Sequence, residues 1–364
     1  MELQSLINEN PDNYLDLIKG EKVNIRRYSQ LGLIILKCNR NTEYNYDENK
    51  WLRYCRGAII DYKNKRVVCI PPLKADDVTD LYSLLNRANC EVETGIDRLY
   101  QPLIDGTMIN MFYHNDEWMI STRSNIGAKN SWDGKVPFHE MFKEIHGCEW
   151  FNQLNKDNCY SFILRHKKNR IVSEIENNGI CLVESHNMKE NICLAELPEI
   201  ENIVNIFSIP VEQLVAYSNS ELYYGIKGFT IKYGMMRENW INPNYVYVEG
   251  LKMNHNHKFL NYIELRQKKK LTEYLNYFPE DRHIYDEYRG KYEHVKQTLY
   301  SDYVSVNIKK AKQIGDVNYA LKPLMYALHR QYKETNEKIT LKVVSDYMHS
   351  LPGKKILFIL KYFD

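Results

Sequence analysis

Residues 102–123 read PLIDGTMINMFYHNDEWMISTR. Two runs rich in β-branched and aromatic residues, TMINMFY (107–113) and WMISTR (118–123), flank the polar turn HNDE, and Asp105-Gly106 marks the turn into the first run. This is the pattern of a β-hairpin. The same grammar occurs upstream, where AIIDY (58–62) and RVVCI (66–70) are joined by KNK. CYSFILRH (159–166), ICLVES (180–185), GFTIKYG (228–234) and YVYVEGLKM (245–253) read as further strands. Helical spacing is expected in DDVTDLYSLLNRA (76–88) and in FHEMFKEIHG (138–147), where Gly147 ends the pattern. An α+β domain of antiparallel sheets and helices over 1–255 follows.

Beyond residue 255 the texture changes. Leu321, Leu324, Met325, Leu328 and Tyr332 repeat at three and four, with Pro323 placed for a first turn. Thr340 is placed to cap a helix carrying Val343, Val344, Tyr347 and Met348, which Pro352-Gly353 ends. The expected C-terminal domain, 256–364, is all-α.

Composition bounds the function. The 364 residues are 44% hydrophobic and 26% charged, as in a folded globular chain. No apolar run reaches the ~18–20 residues of a membrane helix, and the acidic start MELQSLINENPDNYLDL lacks a signal-peptide pattern. The eight cysteines include no Cys-x-x-Cys pair, so a zinc ribbon is not expected, and they read as reduced thiols of a cytoplasmic protein. The net charge of +2 is uneven: Leu251–Asp364 holds 21 Lys and Arg against 13 Asp and Glu. Such a basic third suits either a solvated helical face or a nucleic-acid contact.

Four clusters carry candidate chemistry: Arg56-Gly57 entering a strand, Asp105-Gly106-Thr107 entering another, the basic loop RHKKNRIV (165–172), and KGFTIK (227–232) with Lys252 beyond it. Each alone reads as a turn or a solvated loop. Their order and spacing resemble the phage-type RNA ligases, relatives of DNA ligases and mRNA capping enzymes. The resemblance covers roughly residues 50–255, with a looser match of the helical tail. It implies a nucleotidyltransferase (ATP-grasp-like ligase) domain. The family's Arg-Gly pair falls on CRGAII (55–60), its nucleophile motif on LIDG (103–106), its Phe-Glu-x motif on FIL (162–164) followed by NRIV (169–172), its Glu-Gly motif on KGF (227–229), and its final Lys-x-Lys on GLK (250–252).

The departures decide what the resemblance implies. The nucleophilic lysine is replaced by Leu103, which has no lone pair to attack a phosphate. Ile163 and Lys227 stand where the family has carboxylates, and Gly250 where it has a lysine. Lys227 inverts the charge where a divalent cation would need oxygen. Four departures in separate motifs outweigh a single engineered Lys→Leu, and the expectation is a pseudoenzyme without catalytic residues or bound metal. Arg56, Asp105, Gly106, Arg123, Phe162, Lys227, Lys232 and Lys252 are then candidates to bind a nucleotide or phosphate, with Phe162 either stacking on a base or serving as a core aromatic. Arg165, Lys167, Lys168 and Arg170, with His166, are candidates for the RNA backbone, and Gln267–Lys270 and Lys309-Lys310 extend the basic surface.

Three functions stay open at this level. One is a protein that binds ATP, GTP, a cap nucleotide or an RNA 5′ end for RNA processing or translation, with no cofactor required, in the cytoplasm (the host's, for a viral protein). The second is an active ligase with a displaced nucleophile, Lys74 or Lys129. The third is a scaffold with a vestigial pocket and a protein partner on its helical tail. None calls for a membrane.

Overall fold

The computed structural model describes residues 1–364 except 40–41, 82–97, 133, 148, 195, 202, 219–222, 234–235, 254–256 and 364. They form two compact units, Met1–Tyr247 and Val248–Asp364. The first is built on three sheets, the second on helices, so the chain is an α+β protein with an all-helical C-terminal part.

The first sheet has the order β1 (Asn24–Tyr28), β2 (Leu33–Lys37), β3 (Arg56–Asp61), β4 (Arg66–Cys69). β2 and β3 are buried almost throughout because two helices, Glu2–Glu9 and Tyr14–Gly20, pack Leu3, Ile7, Tyr14 and Ile18 against the same cluster. β5 (Asp76–Val78) and β6 (Arg98–Pro102) are the two edges of a second, four-stranded sheet, ordered β5, β15 (Met236–Ile241), β14 (Gly228–Tyr233), β6.

The third sheet is centred on β7 (Thr107–His114), β8 (Glu117–Thr122), β10 (Asn158–Arg165) and β11 (Gly179–Asn187). β9 (Asn125–Ile126), β12 (Ile192–Cys193) and β13 (Val204–Asn205) are short additions to it. Both expected hairpins form, β3–β4 and β7–β8, each with antiparallel register. Helix Phe138–His146 covers one face of this sheet through Phe138, Met141 and Phe142, and it ends at Gly147 with φ 63°. Glycine tolerates that left-handed conformation at a helix end.

The helical unit follows its expected caps. The Thr340 hydroxyl accepts from Val343 N at 3.3 Å and opens Leu341–Ser350, and Pro323 lies in the first turn of Lys322–Thr335. Its core is rich in tyrosine. Tyr274 and Tyr285 stack at 5.4 Å, and Asp281 accepts from Tyr274 and Lys258.

Two expectations fail locally. YVYVEGLKM (245–253) is not a strand: Pro243–Leu251 is a helix. Asn242 accepts from the Asn244 amide through its side chain, and Pro243 has the φ a first turn needs; this start signal outweighs the β propensity that follows. The expected helix from residue 76 begins instead as β5, parallel to β15, with Asp76 paired to buried Arg53 at 3.0 Å. The rest of that expected helix lies outside the described residues. Among the described residues no helix is long and apolar enough to cross a membrane. The described cysteines, 38, 55, 69, 159, 181 and 193, are free thiols.

Candidate functional site

A one-residue irregularity builds the site. β10 and β11 pair in register up to Ser161 opposite Glu184; the next pair is Phe162 with Leu182, leaving Val183 as an extra residue on β11. A bulge changes which face the following side chains take. Ile180 and Leu182 join the core under helix Phe138–His146, whereas Cys181 and Val183 pack with Ile163 on the opposite face. Past the bulge, Glu184 shares the Val183 face and meets the second sheet. It is 2% exposed and accepts from Arg237 at 2.7 Å, Lys232 at 3.1 Å and His186 at 2.8 Å. Lys232 and Arg237 are register partners on β14 and β15, so both cations approach from one strand pair.

The electrostatics are lopsided. Burial would raise the Glu184 carboxyl, but the Arg237 and Lys232 charges hold it well below the usual carboxylate range. Arg56, half-buried at the start of β3, lies close enough to Arg237 to be repelled. Burial and that like charge lower its guanidinium pKa, opposed by Tyr46 and Asp77. The Nε of Arg237 is buried with no hydrogen-bond acceptor among the described residues. Lys232 and Arg237 thus share one buried carboxylate, with Arg56 near Arg237 and one buried donor to spare.

Asp105 has a different environment from the cations. It is buried, its Oδ2 accepts from the backbone amides of Val172 and Ser173 at 2.9 and 2.8 Å, and its Oδ1 accepts from Tyr245 Oη at 2.6 Å. It therefore pins the end of the NRIV loop beneath the turn into β7. Gly106 beside it has φ 156°, and a Cβ there would come within 2.5 Å of the Leu164 carbonyl. Asn169 ties the same loop to Thr107 at 2.8 Å.

The remaining candidates scatter. Leu103 is half-buried and its amide bonds to the Gly228 carbonyl at 2.8 Å, so it continues the β6–β14 ladder. Phe162 is fully buried, edge-on to Phe142 and Trp150, on the face away from Glu184; of its two readings, the core aromatic is the one this placement fits. Lys227 lies over the Tyr245 ring at 5.7 Å, one residue contact from Asp105. Arg123 is exposed, and its Cα passes 2.9 Å from where a Cβ on Gly57 would sit, which brings the end of β8 against the Arg56-Gly57 pair.

Arg165 donates to the Glu174 carbonyl, Arg170 to that of Val172, Lys168 pairs with Glu144 at 3.2 Å, and Lys167 is exposed; together they form a loop rim. His166 beneath them is buried and accepts from the Lys168 amide. Lys252 belongs to the helical unit, over the Phe278 ring at 4.3 Å, and lies just past a helix rather than on the strand beside β14. The basic residue of that neighbouring strand is Arg237. Lys74 is held by Asp77 at 3.2 Å, and Lys129 is exposed.

Sequence reasoning missed Glu184 and Arg237. An acid inside ICLVES was the available signal, since a charge in a strand flanked by apolar residues needs a partner. A groove of about 550 Å3 lies nearby, lined by Asn24, Arg26, Lys37, Cys38, Asn39 and Ser124, and Lys37 is the register partner of Arg56.

No protein-family profile and no curated protein matches the chain. Solved structures do. A protein described as an ATP-dependent DNA ligase from Aquifex aeolicus is similar at 16% identity and a TM-score of 0.44, over 76% of each chain. An archaeal ATP-dependent RNA ligase is similar at 12% identity and a TM-score of 0.41, over 79% of this chain and 73% of its own. A Naegleria gruberi RNA ligase mutant with AMP and Mn gives 12% identity and a TM-score of 0.35, over 50% of this chain and 59% of its own.

Proposed function

We propose that the protein is a non-catalytic reader of a nucleotide or of an RNA 5′ end, on a ligase-like nucleotidyltransferase fold. The observation that carries this reading is Arg56: a guanidinium held in a half-buried position beside a second guanidinium, Arg237, whose Nε has no acceptor among the described residues. A group with several anionic oxygens answers both, because planar guanidinium forks match phosphate. Lys232 adds a third cation, although Glu184 must share it. The absence of catalysis is argued from residue chemistry. Leu103 offers no nucleophile, Ile163 no carboxylate, and Lys227 places a cation where a metal would need oxygen. Phosphate bound by side-chain cations alone requires no divalent ion. We place this activity in cytoplasmic RNA processing or translation.

Fluorescence anisotropy tests the reading. The ligands are short RNAs ending in 5′-hydroxyl, phosphate, triphosphate or cap, together with ATP and GTP, each with and without magnesium. A preference for one phosphorylated or capped end, unchanged by removing magnesium, is expected. Arg56→Ala should weaken that binding by about ten- to a hundredfold, the worth of one or two charge-assisted hydrogen bonds. Equal affinity for the hydroxyl end overturns it. So does a labelled nucleotide that stays on Lys74 or Lys129 through denaturation.

A further inference from the structure

The face of β11 that carries Glu184 holds a second kind of chemistry beside the proposed phosphate contacts. Glu184 and His186 are two residues apart past the bulge, so they project to the same side. Cys193 on β12 is the register partner of His186. A carboxylate oxygen, an imidazole nitrogen and a thiol sulfur are thereby gathered within 4.8 Å of one another. Glu184 and His186 are buried and Cys193 is half-buried. Three donors of mixed oxygen, nitrogen and sulfur type on one strand pair suit a borderline-soft divalent ion.

We propose that Glu184, His186 and Cys193 form a three-donor zinc-type site that ties β12 to the edge of the large sheet. The donor spacings fit an ion seated by small shifts. His186 Nε2 and Glu184 Oε1 are 2.8 Å apart, and in a tetrahedral site with bonds of about 2.0–2.1 Å they open to about 3.3 Å. Glu184 has a second oxygen for its other duties. Lys232 and Arg237 both pair through Oε2, leaving Oε1 toward His186, so the cations become the groups that orient a ligating carboxylate. Cys193 would ligate as thiolate. The thiolate adds a second negative charge to that of Glu184 and lessens the cost of placing a divalent ion beside Lys232 and Arg237.

The tie has a task in the fold. β12 is two residues long and pairs with β11 through Asn187–Ile192 and His186–Cys193, with the Leu194 amide donating to the Ser185 carbonyl just beyond at 2.9 Å. So short an edge strand has little to hold it, and a ligand bond from it to the sheet interior supplies the missing anchor. Three protein donors leave the fourth tetrahedral position to water.

Metal analysis of the full-length protein, with cobalt replacing zinc as a spectroscopic probe, tests the assignment. About one zinc per chain is expected after equilibration with zinc and removal of excess. The cobalt form should show a thiolate-to-metal charge-transfer band. Cys193→Ser should abolish that band and lower retained zinc about tenfold or more, and His186→Ala should lower zinc similarly. Cys38→Ser, a half-buried thiol on another sheet, should change neither. Failure of the wild-type protein to retain zinc overturns the assignment, as does a charge-transfer band that survives Cys193→Ser. Neither readout depends on whether RNA or nucleotide binds.

Discussion

Cys38 and Cys55 show how one contact separates two like side chains. The neighbouring Cys55 thiol, with help from Tyr46, Tyr44 and Arg56 and against burial, lowers the Cys38 thiol below its ordinary value. Cys55 itself is pushed well above by burial and by its neighbour. Because the thiolate is the nucleophile, the alkylation rate of Cys38 should reach half its plateau at a pH below the ~8.5 of a free thiol. Cys55 should not react until the protein unfolds. Mass spectrometry of iodoacetamide labelling across pH 6–10 checks this, and a Cys38 midpoint at or above the free-thiol value contradicts it. At this scale the sequence was legible where a residue's role is set by its immediate neighbours, as with Gly147 and Thr340. Asp105 was legible as a turn residue, but not as the acceptor for amides almost seventy residues away, because that pairing exists only once the sheet has formed.

The elements were legible when pattern and termini agreed. Both hairpins and the strands β10, β11 and β14 follow their apolar and β-branched runs. Residues 245–253 misled because strand-forming side chains sit behind an Asn-Pro helix start. Two motif glycines show the difference. Gly228 in β14 has φ 147°, and a Cβ there would lie 2.1 Å from the Trp240 carbonyl oxygen, an impossible approach to backbone. Gly250 sits in a helix with nothing within 4 Å of its would-be Cβ. Gly228→Ala should cost about 3 kcal/mol. Gly250→Ala should gain about 0.5–1 kcal/mol from helix propensity. Urea denaturation of the full chain measures both, and equal effects from the two substitutions contradict the assignment of these elements.

At the scale of the whole molecule, charge is the property most visible in the sequence and least informative about place. The basic balance after residue 250 suggested a nucleic-acid surface, yet many of its lysines and arginines are paired locally: Lys268 with Glu264, Lys270 with Glu273, Arg266 with Glu293, Lys312 with Asp302. Arg56, Lys232 and Arg237 are spread over nearly two hundred residues and come together only through two sheets. If these three supply the phosphate contacts, log affinity against log salt for single-stranded RNA should slope at about −2, at roughly 0.7 per contact. Arg237→Gln should flatten it by about 0.7. Replacing Lys309 and Lys310 by glutamine should leave it unchanged. A titration in which the C-terminal pair moves the slope and Arg237 does not would relocate the binding surface.

The extra residue at Val183 gives one strand two vocabularies. Up to that point β11 is written for an apolar partner on both faces; after it, acid and imidazole come onto a face that Cys181 had shared with isoleucine. Shifting the irregularity along the strand by two positions would move the polar segment without altering composition. Smoothing it with Val183 kept would pair Glu184 with Tyr160 and turn Glu184 and His186 toward the helix-covered core, whereas deleting Val183 would leave Glu184 opposite Ser161 on its present face. For a lineage or a designer, the face that these side chains take is then decided by the pairing register and not by their identity.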